Sequence, residues 1–165
     1  MNVVLCGMMG CGKTTVAAAL SSIYGLNSVD TDAEIVKSYG EINKIFAEYG
    51  EEYFRMLEAK TVAFVAQNYK NTVISTGGGC VLRAENVNNL KKTGKIIYLR
   101  TQPETLVERV EGDTSRPLLK GGAREKIYSI SAVRAPIYSA AADFTVDTDG
   151  RTPDEIAKII MELVK

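Results

Sequence analysis

Gly7-Met8-Met9-Gly10-Cys11-Gly12-Lys13-Thr14 decides the fold class of this 165-residue chain. The octet follows Val3-Val4-Leu5-Cys6, a β-branched apolar run fit for a buried strand. It opens a stretch, 13–24, in which Val16, Ala19, Leu20 and Ile23 recur at helical spacing before Gly25 stops it. The pattern G-x-x-x-x-G-K-[ST] between a strand and a helix is a phosphate cradle. Its glycines let the backbone wrap close to phosphate and turn N–H groups inward. The helix N-terminus adds partial positive charge. Lys13 then reaches the β- and γ-phosphates of a nucleotide, and the Thr14 hydroxyl is placed to ligate magnesium. Cys11 reads as a bystander in the loop, although a thiol at a helix N-terminus is prone to acidify.

Working outward, short apolar runs at 26–30, 72–76, 95–100 and 143–147 read as further strands. Between them lie helical stretches near 31–38, 41–49, 50–68, 83–92, from Pro103 onward, and 123–141, the last expected to be interrupted at Pro136. Pro153 opens a terminal helix striped by Ile156, Ile159, Ile160 and Leu163. Strands alternating with helices imply an α/β fold, its parallel sheet covered on both faces. No repeat or linker divides the chain, so residues 1–165 read as a single domain.

Composition narrows the function. Lys plus Arg and Asp plus Glu both number 20, so the formal net charge is zero and no long-range field draws a polyanion. Nucleic-acid binding is not expected. No apolar stretch approaches the roughly 18 residues of a membrane span, and no basic segment followed by an apolar run opens the sequence, so neither a membrane nor a secretory route is expected. Cys6, Cys11 and Cys80 lack metal-ligand spacing, which fits a reducing cytoplasm. The sequence contains no His, which removes His general bases, Ser-His-Asp triads and His-ligated metals. An Asn-Lys-x-Asp guanine-reading motif is also missing, which disfavours a GTPase, and the length suits a small-molecule kinase.

The acceptor side is read from strand ends, which face the ligand crevice in open α/β sheets. Asp30 and Asp32, spaced i, i+2 at the end of the second strand, can both reach a magnesium–phosphate centre. One assists the metal, directly or through water, while the other meets an acceptor hydroxyl; helix capping is the competing use. Gly77-Gly78-Gly79 ends the third strand, where a backbone must touch a ligand closely or merely turn. Arg55 lies three residues before Glu58, a spacing that lets the carboxylate hold the guanidinium, either as a surface pair or as a clamp for a substrate carboxylate. Arg116 sits in a glycine-rich segment, 112–122, of the kind that closes over phosphate and offsets charge developing in transfer. Arg134 precedes Pro136 and Tyr138 in a helix.

Taken in order, GMMGCGKTT at 7–15, DTD at 30–32, FRxxE at 54–58, TGGG at 76–79, RPLL at 116–119, RAPIY at 134–138, and Arg151 with Pro153 resemble the shikimate kinase family of P-loop small-molecule kinases. The resemblance implies a three-layer P-loop kinase fold with a five-stranded parallel sheet in the order 2-3-1-4-5. It also implies a substrate-binding region near 31–60 and a lid near 112–123. By resemblance, Gly10, Cys11, Gly12, Lys13, Thr14 and Thr15 would hold ATP phosphates, with Mg2+ on Thr14 and Asp30. Arg109 and Arg151 would flank adenine, and Arg116 would reach ATP from the lid. Asp32, Arg55, Gly77, Gly78, Gly79 and Arg134 would bind shikimate, with Phe46, Phe54 and Glu58 bracing the pocket. Lys13, Asp32 and Arg116 would carry the chemistry. The implied reaction is ATP-dependent phosphorylation of the 3-hydroxyl of shikimate, in the pathway to chorismate and the aromatic amino acids, by a cytoplasmic monomer. The rivals are a sibling P-loop kinase acting on gluconate or a nucleoside monophosphate, and a nucleotide-binding regulatory module without transfer activity. Arg55 with Arg134 favours a carboxylated acceptor; Lys13, Thr14, Asp32 and Arg116 together favour catalysis.

Overall fold

Strand β1 (Asn2–Cys6) is buried along its whole length and takes a parallel neighbour on each side. Val4 lies opposite Ile74 of β3 (Thr72–Ser75) and Ile96 of β4 (Gly94–Arg100). The outer strands, β2 (Asn27–Asp30) and β5 (Phe144–Asp147), complete a parallel sheet in the order β2-β3-β1-β4-β5. The computed structural model describes residues 1–111 and 122–165. The expected lid and Arg116 therefore lie outside the described residues, apart from Gly122 and Ala123 at the lid's far end.

Consecutive strand residues point to opposite faces. Val3, Val4 and Leu5 are all at most 3% exposed, so both faces of the sheet are covered. On one side α1 (Lys13–Tyr24) packs with α8 (Pro153–Leu163). Elsewhere α4 (Glu51–Asn68) packs with α5 (Ala84–Thr93), and α6 (Pro103–Glu111) with α7 (Ala123–Ala141). Local chemistry fixes the helix ends. Thr152 and Glu155 form a reciprocal capping box with Pro153 at the first turn of α8. Gly25, at φ 69°, closes α1 by donating to the Ser21 carbonyl.

A smaller apolar cluster stands apart from the main core. Ile35, Ile45, Phe54 and Leu57 join α2 (Thr31–Tyr39), α3 (Ile42–Tyr49) and α4 into a cap beside the β2 end of the sheet. This cap holds most of the region expected to bind substrate.

Two features differ from the sequence reading. Helix α7 runs unbroken through Pro136. The proline removes the N–H that would have bonded the Ala132 carbonyl, but both residues are exposed, so water can take that carbonyl and the helix continues. A 3-10 turn, Cys80–Leu82, follows the glycines directly. Buried Asn86 closes it, donating from Nδ2 to the Cys80 carbonyl at 2.9 Å.

Candidate active site

The carboxyl ends of β1, β2 and β3 meet two cavities that share a wall. The larger, of about 540 Å³, is lined by the cradle residues Gly10–Thr15 together with Asp30, Asp32, Gly77, Gly78, Arg109 and Arg151. The smaller, of about 280 Å³, is lined by Phe54, Arg55, Glu58, Gly77, Gly78, Gly79 and Arg134, and again by Asp32. Met9, Asp32, Gly77 and Gly78 line both.

In the larger cavity Gly12 leads into α1 at φ 99°, a left-handed conformation costly for any residue with a Cβ. Lys13 Nζ donates to the carbonyls of Gly7 at 2.8 Å and Met8 at 3.1 Å, and lies 3.6 Å from Cys11 Sγ. Its ammonium therefore already sits inside the loop that would wrap a phosphate. Thr15 is turned back onto the Gly12 carbonyl at 3.0 Å, while Thr14 is exposed at the cavity wall. Arg109, from α6, donates to the Gly10 carbonyl at 2.8 Å, and Arg151 donates to the Asp147 carbonyl at 2.6 Å. The segments carrying these arginines are joined by Asp149, which accepts from the Gln102 N–H at 2.8 Å and the Thr105 hydroxyl at 2.5 Å.

Asp30 and Asp32 divide their work. Asp30 Oδ1 accepts from the Ala33 N–H at 3.0 Å and caps α2, the competing use considered from sequence, while the residue still lines the larger cavity. Asp32 Oδ1 is buried and has no hydrogen-bond partner among the described residues. Burial pushes its carboxyl up to about 6, helped by the nearby charges of Asp30 and Glu58 and opposed by Lys13 and Arg55. A carboxyl that titrates near neutrality, at the wall between two cavities, is suited to holding and accepting a proton.

The glycines answer a demand for space. A Cβ on Gly77 would lie 2.7 Å from Asp32 Oδ1, and one on Gly79 would overlap the Arg55 guanidinium. Glu58, only 1% exposed, accepts from Arg55 Nη1 at 2.9 Å. Burial pushes the Glu58 carboxyl up, against the opposing pull of Arg55, Arg83 and Arg134. Arg55 pairs directly with this buried carboxylate, the charges of Arg83 and Arg134 act on it as well, and Arg55 and Arg134 line the smaller cavity. Two arginines with planar donor forks beside a cavity this small suit a compact carboxylated molecule.

Phe46 lies outside both cavity walls; it stacks on Phe54 at 4.8 Å and is partly exposed, so its reach to the pocket is through Phe54. Sequence reasoning missed several contributors. Thr31 Oγ1 accepts from the Gly77 N–H at 3.3 Å and ties the two strand ends together. Met9, Ile42 and Ile130 add apolar wall to the smaller cavity. Tyr138, fully buried, donates to the Gly78 carbonyl at 2.6 Å. Its spacing of four from Arg134 placed it on the same helix face, yet a tyrosine at that spacing reads equally well as core. Among the described residues no group of three or more His, Cys, Asp and Glu is arranged to hold a metal ion.

Comparison with known proteins agrees over nearly the whole chain. The family model described as shikimate kinase matches residues 9–165. A shikimate kinase of Thermodesulfovibrio yellowstonii is 43% identical over 164 residues, covering 98% of this chain and 94% of that protein. A shikimate kinase of Moorella thermoacetica is 42% identical over 165 residues, covering 99% and 94%. Among solved structures, shikimate kinase from Acinetobacter baumannii in complex with shikimate superposes with a TM-score of 0.89 at 34% identity, covering 99% of this chain and 92% of that one. With the sheet order, the cradle and the paired cavities already in place, this similarity shows that the chain belongs to the shikimate kinase family.

Proposed function

We propose that the chain transfers the γ-phosphoryl group of ATP to the 3-hydroxyl of shikimate, giving shikimate 3-phosphate and ADP. The observation that carries this reading is Asp32, whose buried carboxylate oxygen, without a partner among the described residues, sits in the wall shared by a phosphate cradle and an arginine-lined cavity. ATP would occupy the larger cavity, its phosphates against the N–H groups of Gly10–Thr15 and Lys13. Arg109, bonded to the Gly10 carbonyl, and Arg151 line the same cavity and would flank the base. Shikimate would enter the smaller cavity, its carboxylate between Arg55 and Arg134 and its ring hydroxyls toward Asp32 and Gly78. Phe54 and Glu58 form its wall and brace.

In the transfer, the 3-hydroxyl oxygen forms a bond to the γ-phosphorus as the bond to the β,γ-bridging oxygen breaks. The bridging oxygen leaves with the electron pair on ADP, and the hydroxyl proton passes to Asp32. A loose transition state releases that proton late, so positioning and charge stabilisation carry most of the acceleration. Lys13 offsets phosphate charge, and Arg116, assigned from sequence, would add to this.

The donor set fits Mg2+. Thr14 and the Asp30 carboxylate supply hard oxygen ligands facing one cavity. They are too few to cage an ion alone, which is the pattern for magnesium shared with phosphates and water. Bound there, the ion would screen phosphate charge.

Action as a monomer is part of the proposal, and three free, buried cysteines support a reducing cytoplasm. Among the described residues no helix is long and apolar enough to cross a membrane. The decisive experiment is ADP release measured with shikimate, gluconate and nucleoside monophosphates as acceptors. Turnover with shikimate alone is expected. Preference for gluconate would overturn the substrate, and ADP release indifferent to any acceptor would overturn the transfer itself.

A further inference from the structure

Tyr138 is fully buried, lies on α7 one turn beyond Arg134, and has no place in the reaction as described. Its ring rests against Tyr98 of β4 with centroids 5.1 Å apart, which fixes the direction of the phenol. The hydroxyl donates to the Gly78 carbonyl at 2.6 Å and lies 3.9 Å from Met8 Sδ in the cradle. A Cβ placed on Gly78 would meet Arg134 Nη1 at 3.1 Å and the Tyr138 hydroxyl at 3.7 Å. Two side chains from successive turns of α7 therefore grip the same glycine.

The grip matters because of what Gly77-Gly78-Gly79 lacks. Without Cβ atoms, the peptide units of such a run can rotate between many orientations that other residues forbid. A peptide bond is planar and trans, so its C=O and its N–H point in opposite directions. Holding the Gly78 carbonyl toward Tyr138 therefore turns the Gly79 N–H away from α7. It also keeps Gly79 close against the Arg55 guanidinium, where no Cβ would fit. Arg55 is anchored from behind by Glu58 and Arg134 lies over Gly78, so the hydroxyl of Tyr138 joins the two arginines through one backbone segment. Burial pushes the phenol up to about 12, so it remains a donor throughout the working pH range.

We propose that Tyr138 is a positioning residue for the acceptor, its hydroxyl locking the Gly78–Gly79 peptide in the orientation that sets Arg55, Arg134 and Gly78 around the shikimate carboxylate and ring. This rests on the acceptor reading given above. A purely structural Tyr138 would support the core without distinguishing the two substrates. A positioning Tyr138 acts chiefly on the acceptor cavity: Gly78 and Met8 also border the cradle, but the cradle is held by contacts of its own, Cys11 N–H to the Met8 carbonyl and Lys13 Nζ to the Gly7 and Met8 carbonyls.

The test is Tyr138→Phe, which keeps the ring and deletes the donor. Shikimate KM is expected to rise about tenfold, the scale of one lost buried hydrogen bond. ATP KM should stay within about twofold, and Tm within a few degrees. Replacing Tyr138 by 4-aminophenylalanine restores a donor and should return shikimate KM to near the wild-type value. Unchanged shikimate KM in Tyr138→Phe overturns the assignment, and so does a parallel rise of both KM values with a fall in Tm. If the Phe variant does not fold, the aminophenylalanine variant decides: wild-type shikimate KM supports the lock, and a tenfold rise overturns it. Failure of the acceptor reading is visible separately, since the wild-type protein would then not turn shikimate over.

Discussion

Asp32 is the proposed acceptor of the hydroxyl proton, and its environment gives it two separable signatures. The fold holds its carboxyl at about 6 against an ordinary 3.8, chiefly by burial, with Asp30 and Glu58 adding repulsion. The folded chain thus binds this proton more tightly than the unfolded chain. Its contribution to stability is fully present below pH ~4 and is lost as pH rises to about 6. Asp32→Asn removes the buried charge while keeping the shape, so the variant should be more stable than wild type at pH 7 by about 1–2 kcal/mol, an allowance for solvent screening included. That advantage should vanish below pH 4; denaturant titrations at pH 4 and pH 7 would measure both. Catalysis should move the other way. Asn cannot accept a proton, so kcat should fall about 100-fold or more, with ATP binding retained. Wild-type kcat should itself decline as pH drops below about 6. A variant that gains stability and keeps kcat would leave Asp32 as a buried carboxylate with no catalytic role.

At the scale of elements, the cap formed by α2, α3 and α4 is held by a cluster of its own. Helices α2, α3 and α4 share a small apolar cluster of Ile35, Ile45, Phe54 and Leu57, separate from the main core under the sheet. Phe54 belongs both to this cluster and to the wall of the smaller cavity, so under the proposed function packing and substrate binding would be linked through one ring. Ile45→Ala should cost about 2–5 kcal/mol locally. Because the cluster is small, that loss should appear as opening of the cap before the sheet unfolds. Hydrogen exchange should quicken over 31–57 while β1, β3 and β4 keep their protection, and shikimate KM should rise with ATP KM nearly unchanged. Uniform loss of protection would show instead that the cap and the sheet unfold as one unit. The sequence made these elements legible because period and punctuation agreed: Gly25, Gly40 and Gly50 end helices where apolar spacing also stops. Pro136 misled because proline is a strong breaker in general, while the cost here falls on an exposed carbonyl, and exposure is a tertiary property. Tyr138 was hidden for a similar reason, since a buried tyrosine at helical spacing looks the same whether it fills space or holds a backbone carbonyl.

At the scale of the whole molecule, the sheet brings the carboxyl ends of three strands together and sets two cavities side by side there, one for each proposed ligand. Residues far apart in sequence meet there: the cradle after β1, Asp32 after β2, the glycines after β3 and Arg134 on α7. The motifs were legible one by one. The shared wall was not, because it depends on how closely Gly77 approaches Asp32 in space. That division predicts separable ligand effects on stability. A ligand that binds only the folded state at 100 times its Kd adds about 2.7 kcal/mol. For a chain of this size this amounts to a rise of roughly 5–10 °C in Tm. ADP and shikimate should each raise the Tm of the wild-type protein on this scale. Arg55 lines the acceptor cavity and is absent from the wall of the nucleotide cavity. Lys at 55 keeps the charge and loses the planar fork that pairs with a carboxylate. Arg55→Lys should therefore erase most of the shikimate shift, raise shikimate KM at least tenfold, and leave the ADP shift intact. Thermal melts with each ligand alone measure this directly. Loss of both shifts together would mean that the cavities act as one site, and an undiminished shikimate shift would take Arg55 out of the carboxylate clamp.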